Sequence, residues 1–259
     1  MYGYGFRPNN KMFGGGGGAI DADALNFIST ASITDLTQQS AINQLVLDLK
    51  SYSIWSKLHA LYPIVGGNSL AHSYNLIDTS NYQITFNGGW THSLNGALPN
   101  GTNGYADTGF NPLLNYDSID SYGLGFYSRT NNFSSTKSDF GSNSAGLYSY
   151  TRYDASSGYI NVFNGEKTVS VSDSRGLFSF VNDGVNRIMK RNQSTLISTT
   201  GGAITFPNSN ILFSCRTSTT VFGNREMALL FISKSMSSTD IDNLYTAVQT
   251  YQTALSRQV

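Results

Sequence analysis

The sequence predicts a mainly β protein: an antiparallel sandwich with a short helical segment before it and one helix after it. Three observations carry this. Between about residues 64 and 235, short runs of aromatic and β-branched residues alternate with Gly- and Asn-rich punctuation. Charged residues make up only 12% of the 259, where a globular chain carries roughly a quarter. Polarity comes instead from Ser, Thr, Asn and Gly, while 16 Tyr and 15 Phe suit a pleated, half-buried surface.

Residues 1–19 (MYGYGFRPNNKMFGGGGGA) stand apart. The glycines Gly14 to Gly18 cannot fix a backbone by themselves, because glycine loses most entropy on ordering. Ahead of them lie anchor-type residues: Tyr2, Tyr4, Phe6, Arg7, Met12 and Phe13. Two readings stay open. One is an idle tail; the other is a docking peptide on a glycine tether, with Tyr2, Tyr4, Phe6, Arg7 and Phe13 as its contacts.

Residues 20–63 read as a helical lead-in. Asp21 or Asp23 can cap a helix running to about Thr30, with Leu25 and Ile28 inward. Asp35 and Gln38 have capping-box spacing, followed by Ile42, Leu45, Val46 and Leu49 at i, i+3, i+4, i+7. A last turn around Ile54, Trp55 and Leu58 is closed by Pro63.

From Ile64 to residue 235 the period changes. Gly66-Gly67-Asn68, Asn87-Gly88-Gly89, Pro99-Asn100-Gly101, Asn103-Gly104 and Gly201-Gly202 separate short strand-like runs. Among these are Tyr122–Tyr127, Gly146–Tyr153, Tyr159–Phe163, Leu177–Val181, Asn210–Cys215 and Met227–Ile232. Such spacing describes a sandwich or a barrel, and the lack of long helical periods argues against a parallel α/β sheet. Over residues 236–259, Ser237 to Asp240 signal a cap. Ile241, Leu244, Val248, Tyr251 and Leu255 then form an apolar seam. Packing on the sandwich or the first helices is one use for this seam; a helix bundle joining subunits is the other.

Composition removes several partners. A formal net charge of zero gives no electrostatic footprint for nucleic acid or an anionic membrane. No apolar run of about 18 residues exists for a membrane span. Met1 to Lys11 carry no secretory signal pattern, and the lone Cys215 reads as a buried strand residue of a protein made in a reducing cytoplasm.

With the residues read, a resemblance emerges. The stretch FNGGWTHSLNGALPNGTNGYADTGFNP (Phe86 to Pro112) resembles the opening hairpin of concanavalin A-like, laminin-G-like modules. GFYSRTN (Gly125 to Asn131) resembles the strand that follows. FGNREMALLFISKSMSSTDIDNLYTAVQTYQTALSRQV (Phe222 to Val259), with the lead-in from Asp21, is similar to a virion-associated family of bacteriophages of Bacteroidetes-type hosts. The resemblance covers residues 20–259. It implies a concanavalin A-like jelly roll within a phage fibre, tail or decoration protein located in the virion. By analogy it also implies a homo-oligomer, a trimer above other states. Other virion proteins would be the partners of residues 1–19, and host-surface glycans those of the lectin-like domain.

Catalysis is not expected. Sugar hydrolysis on such a sandwich needs two facing carboxyl groups about 5–9.5 Å apart. The glutamates, Glu166 and Glu226, lie 60 positions apart, and Asp117 and Asp120 read as turn residues. His59 reads as a helix end and His72 and His92 lie near turns, without a Gly-x-Ser-x-Gly elbow or zinc-ligand spacing. No cofactor is expected. Calcium is the better metal candidate, through Asp107, Asp117 and nearby Asn oxygens, although no EF-hand-like run supports it. The most sugar-like group is Trp90, His92, Asn103, Tyr105 and Asp107: aromatic platforms beside amide and carboxylate groups on turns. The competing role for these residues is packing and turn formation in the first hairpin.

Overall fold

The computed structural model describes residues 19–134, 136–144, 146–162, 167–200, 205–218 and 220–259. The docking residues Tyr2, Tyr4, Phe6, Arg7 and Phe13, and Glu166, lie outside them. The first described helix, α1 (Ala22–Thr30), is capped by Asp21, which accepts from the Asp23 amide at 3.0 Å. The second, α2 (Leu36–Ser51), is capped by Asp35, which accepts from the Gln38 amide at 2.8 Å. Gln38 does not close a reciprocal box. Its Oε1 accepts from the Gly66 amide at 2.8 Å, tying the helix to the first turn of the sandwich. The inner face of α1 also needs correction: Leu25 is exposed, and Ala24, Phe27 and Ile28 are buried.

The helical turn expected through Leu58 stops short. A 3₁₀ turn covers Trp55–Lys57, and strand β1 (Leu58–Tyr62) follows, placing His59 on a strand. β1 pairs antiparallel with β17 (Met227–Ser233) from Leu58↔Ser233 to Tyr62↔Leu230. A run that is apolar at Leu58 and from Ala60 to Tyr62 is worth more inside a sheet than as a helix end, where one face would stay wet.

The chain continues through α3 (Ser69–Ser73), β2 (Thr85–Asn87), β3 (Trp90–Ser93), β4 (Gly96–Pro99), β5 (Tyr105–Asp107) and α4 (Pro112–Asn115). Next come β6 (Gly123–Ser128), β7 (Phe140–Ser142), β8 (Leu147–Tyr150), β9 (Ser157–Val162) and β10 (Lys167–Ser170). β11 (Gly176–Asn182), β12 (Asn186–Arg191), β13 (Ser194–Thr200), β14 (Ile211–Phe213), β15 (Cys215–Thr217) and β16 (Thr220–Phe222) precede β17 and α5 (Ser238–Ala254). Among the described residues two large antiparallel sheets result, with β15 and β16 forming a separate two-stranded one. The first runs β13-β12-β11-β6-β17-β4-β3, with β1 also on β17, and the second runs β10-β9-β8-β7-β14-β5-β2. The expected mainly β sandwich, with helices before and after it, is the observed fold.

Between the sheets lies a Phe-rich core including Phe126, Phe140, Phe178, Phe180, Phe213 and Leu230. On the other face of the first sheet, Tyr127, Leu177, Val181, Leu229 and Phe231 pack against α1, α2 and α5. Burial on both faces explains why β6, β11 and β17 are buried at every position and read as nearly continuous apolar runs. We call this the covered sheet, and the second the open sheet.

The cap of α5 is a full box. Ser237 Oγ accepts from the Asp240 amide at 3.1 Å, and Asp240 Oδ2 accepts from the Ser237 amide at 2.8 Å. Ile241, Leu244, Val248 and Tyr251 are buried and Leu255 is half-buried, so the seam packs on this chain's own core. Just beyond, Arg257 is 1% exposed. Its Nε donates to Gln252 Oε1, one terminal nitrogen to the carbonyls of Ile64 and Leu94, and the other to those of Pro63 and Ala228, all at 2.6–3.2 Å. All five guanidinium donors are used.

Candidate functional site

The residues expected to bind sugar are divided between the two sheets. Trp90 and His92 stand on β3 of the covered sheet, Tyr105 and Asp107 on β5 of the open sheet, and Asn103 in the loop between β4 and β5. Trp90 Nε1 donates to the Asn87 carbonyl at 3.0 Å, and its ring meets Phe86 edge-on with centroids 5.0 Å apart. His92 Nδ1 lies 2.9 Å from His72 Nδ1, so one ring donates and the other accepts. Burial pushes the His72 ring down to about 3, and lowers His92 as well. Asn103 Oδ1 accepts from the Gly89 amide at 3.0 Å and from Asn100 Nδ2 at 2.8 Å. A side chain at Gly88, where φ is +70°, would run into the Asn103 carbonyl, so the two turns interlock only through glycine. Asp107 Oδ1 accepts from the Gly109 amide and Asn210 Nδ2, at 2.9 and 3.0 Å. Asp117, the other calcium candidate, pairs with Lys234 at 3.4 Å. Among the described residues no three His, Cys, Asp or Glu side chains converge as a metal site.

A second constellation lies on the outer face of the open sheet. Along β8 and β9, Leu147, Ile160 and Val162 point into the core, which turns Tyr148, Tyr159 and Asn161 outward by strand alternation. Register sets Tyr150 opposite Tyr159 and Tyr148 opposite Asn161. Tyr153 follows in the turn, where its amide donates to the Ser157 carbonyl at 2.7 Å. The four rings form a continuous series: Tyr148 to Tyr150 at 5.7 Å, Tyr150 to Tyr153 at 5.9 Å, and Tyr153 to Tyr159 at 4.7 Å, all edge-to-face. Together with Arg216 they enclose about 260 Å³ open to solvent.

Arg216 arrives from a different element. At Ser214 the backbone turns into the left-handed region (φ 63°), lifting the chain off β14 into the β15–β16 hairpin. That hairpin crosses the outer face of the open sheet directly over Gly141 of β7, where an added Cβ would sit 2.1 Å from the Arg216 carbonyl oxygen. Glycine is what lets the two backbones touch. Seated there, the Arg216 guanidinium lies 4.4 Å from the centre of the Tyr148 ring. Cys215, at the base of the hairpin, is buried as expected, and burial raises its thiol well above the usual range. Tyr105 faces Phe222 at the far side of the hairpin, 6.3 Å between centroids. The hairpin therefore divides the outer face of the open sheet between Tyr105 and the four-tyrosine basket.

The tyrosines are present in the sequence as Tyr148, Tyr150, Tyr153 and Tyr159, but they read as ordinary strand residues. The i, i+2 spacing of Tyr148 and Tyr150 put both on one face, and that was the available signal.

No family model matches the chain, and no curated protein matches it in sequence. Solved structures do share its fold. Domain 4 of AbnA, a GH43 extracellular arabinanase from Geobacillus stearothermophilus, in complex with arabinotriose, superposes with a TM-score of 0.53 at 13% identity. That match covers 73% of this chain and 98% of that one. A structure of botulinum neurotoxin type C, whose cell entry is dependent upon interaction with two ganglioside molecules, gives 0.54 at 15% identity over 77% of this chain. Trypanosoma rangeli sialidase gives 0.52 at 11% over 80%. The chain spans only 53% of that neurotoxin chain and 38% of that sialidase. At these identities the likeness is one of fold: a lectin-like β-sandwich.

Proposed function

We propose that this protein is a non-catalytic carbohydrate-binding module whose sugar platform is the basket of Tyr148, Tyr150, Tyr153 and Tyr159. The observation that carries the reading is the unbroken series of ring contacts on an outward sheet face, beside a raised cation. Tyrosine rings supply flat apolar faces for the C–H side of a pyranose, and their hydroxyls supply hydrogen bonds at the rim. The arabinotriose-bound arabinanase domain lends support, since it is a sandwich of similar shape in complex with a sugar. Binding is preferred over hydrolysis because, among the described residues, no carboxylate lines the basket. The nearby Asp154 spends its oxygens on Ser156 and Ser157, and the Ser157 hydroxyl with the two backbone amides holds its carboxyl down to about 2.

The test is a glycan array followed by calorimetric titration of the best ligand with wild type, Tyr159→Ala and Trp90→Ala. Loss of about tenfold or more in affinity is expected for Tyr159→Ala, with Trp90→Ala binding as wild type. The reverse pattern would overturn the assignment and return the site to the first hairpin.

The wider setting follows from the resemblance of residues 20–259 to phage proteins: a virion component made in the host cytoplasm, displayed as a homo-oligomer and anchored by residues 1–19. Particles assembled with a chain lacking residues 1–19 should omit it. If they incorporate it normally, the anchoring role is wrong.

A further inference from the structure

We propose that the basket selects carboxylate-bearing saccharides, with Arg216 as the residue that reads the acid; this deepens the carbohydrate-binding reading and rests on it. Tyrosine rings alone do not tell a uronate from its neutral counterpart, because both present the same C–H face. Arg216 does, and its situation differs from that of other arginines here. Arg129, Arg175 and Arg225 each meet a carboxylate, and Arg257 spends all five donors on oxygens. Arg216 meets no carboxylate and no carbonyl among the described residues. Its contact is the Tyr148 ring, 4.4 Å away. A guanidinium held over an aromatic ring is oriented while its N–H fork stays free, which is the arrangement that takes a carboxylate through two parallel hydrogen bonds.

The position is built, not incidental. The left-handed Ser214 raises the hairpin and Gly141 admits its backbone, and together these bring a cation exposed to water to the mouth of the cavity. No described carboxylate lines that mouth to neutralise it, and the nearby Asp154 is tied into its own turn. An acidic sugar lying on the tyrosines would therefore meet Arg216 as the one charged side chain in the described lining of the cavity.

The experiment uses the full chain and a panel of galacturonate, glucuronate and nonulosonate oligosaccharides, each paired with its carboxyl-reduced neutral form. Calorimetry at low salt should give at least about tenfold tighter binding of the acidic member of the preferred pair, with the gap narrowing as salt rises. Arg216→Gln should remove that gap, Arg216→Lys should keep part of it, and both variants should melt with wild type. Gly141→Ala should also remove it, by displacing the hairpin while all four tyrosines remain. Equal binding of the two members, or a gap that survives Arg216→Gln, overturns the acid selectivity and leaves the tyrosine platform standing. Binding of neither member by wild type, across the panel, overturns both.

Discussion

On the covered sheet the outward residues are Tyr127, Leu177, Val181, Leu229 and Phe231, and helices α1, α2 and α5 lie over them. On the open sheet they are Tyr148, Tyr150, Tyr159 and Asn161, and among the described residues no helix lies over them. Both faces are aromatic-rich sheet surfaces. They differ in what their side chains can tolerate. Leu, Val and Phe gain only by leaving water, so they must be roofed. Tyrosine keeps a hydroxyl that water can satisfy, so half-buried Tyr148, Tyr153 and Tyr159 can stand around the buried Tyr150 on an open face. The same sandwich thus has one face roofed by helices and one left open, the face proposed above for recognition.

Breaking the covered side should have the largest effect. Arg257→Ala leaves the buried Ile64 carbonyl without its donor, leaves Pro63 only Tyr251 and Ala228 only Gln252 as side-chain donors, and empties a closed site. A loss of about 3–5 kcal/mol is expected from the urea midpoint, with ligand affinity of the folded fraction unchanged. Acid should separate the two faces next. His72 is buried and neutral, with its folded value near 3 against 6.5 for an ordinary histidine, and Arg257 and His92 face it. The unfolded chain therefore takes the proton first, and stability falls as pH drops from about 6.5 towards 3. At pH 4.5 the cost reaches about 3 kcal/mol, and His72→Gln should flatten that slope in pH-dependent denaturation.

Smaller effects belong to the open side. Gly141→Ala should cost about 1–3 kcal/mol as the hairpin shifts, visible in thermal melts. Tyr159→Ala should change stability by less than about 1 kcal/mol, whereas Leu244→Ala, on the buried face of α5, should cost about 2–5 kcal/mol. If the two substitutions destabilise equally, the division between a structural and a recognition face is wrong.

Much of this was legible because it is local. Asp35 and the Ser237–Asp240 box announced helix starts, and the seam from Ile241 to Tyr251 packs as its spacing implied. Leu58 reads as helical in the sequence because Ile54, Trp55 and Leu58 match a helical period, while the partner that makes it a strand lies at Ser233, far along the chain. The basket proposed above is hard to read from the sequence for a related reason. Alternation tells which tyrosines share a face, but which face stays open depends on where the helices land, and Arg216 comes from a hairpin 57 residues beyond Tyr159. Trp90 drew attention by residue type, yet Phe86, His92 and the Asn87 carbonyl occupy its ring and its donor.

The place of β17 has a consequence for the order in which this fold can form. It is the last strand among the described residues, yet it lies between β6 on one edge and β1 and β4 on the other. Until residue 233 has left the ribosome, the covered sheet has a gap at its centre, and α1 and α2, made some two hundred residues earlier, lack Leu229 and Phe231 to pack on. Closing such distant pairings makes folding slow, and it leaves the apolar edges of β1 and β6 unpaired while synthesis continues. The interval before β17 emerges is therefore when a nascent chain is most exposed to mispairing and most in need of a chaperone.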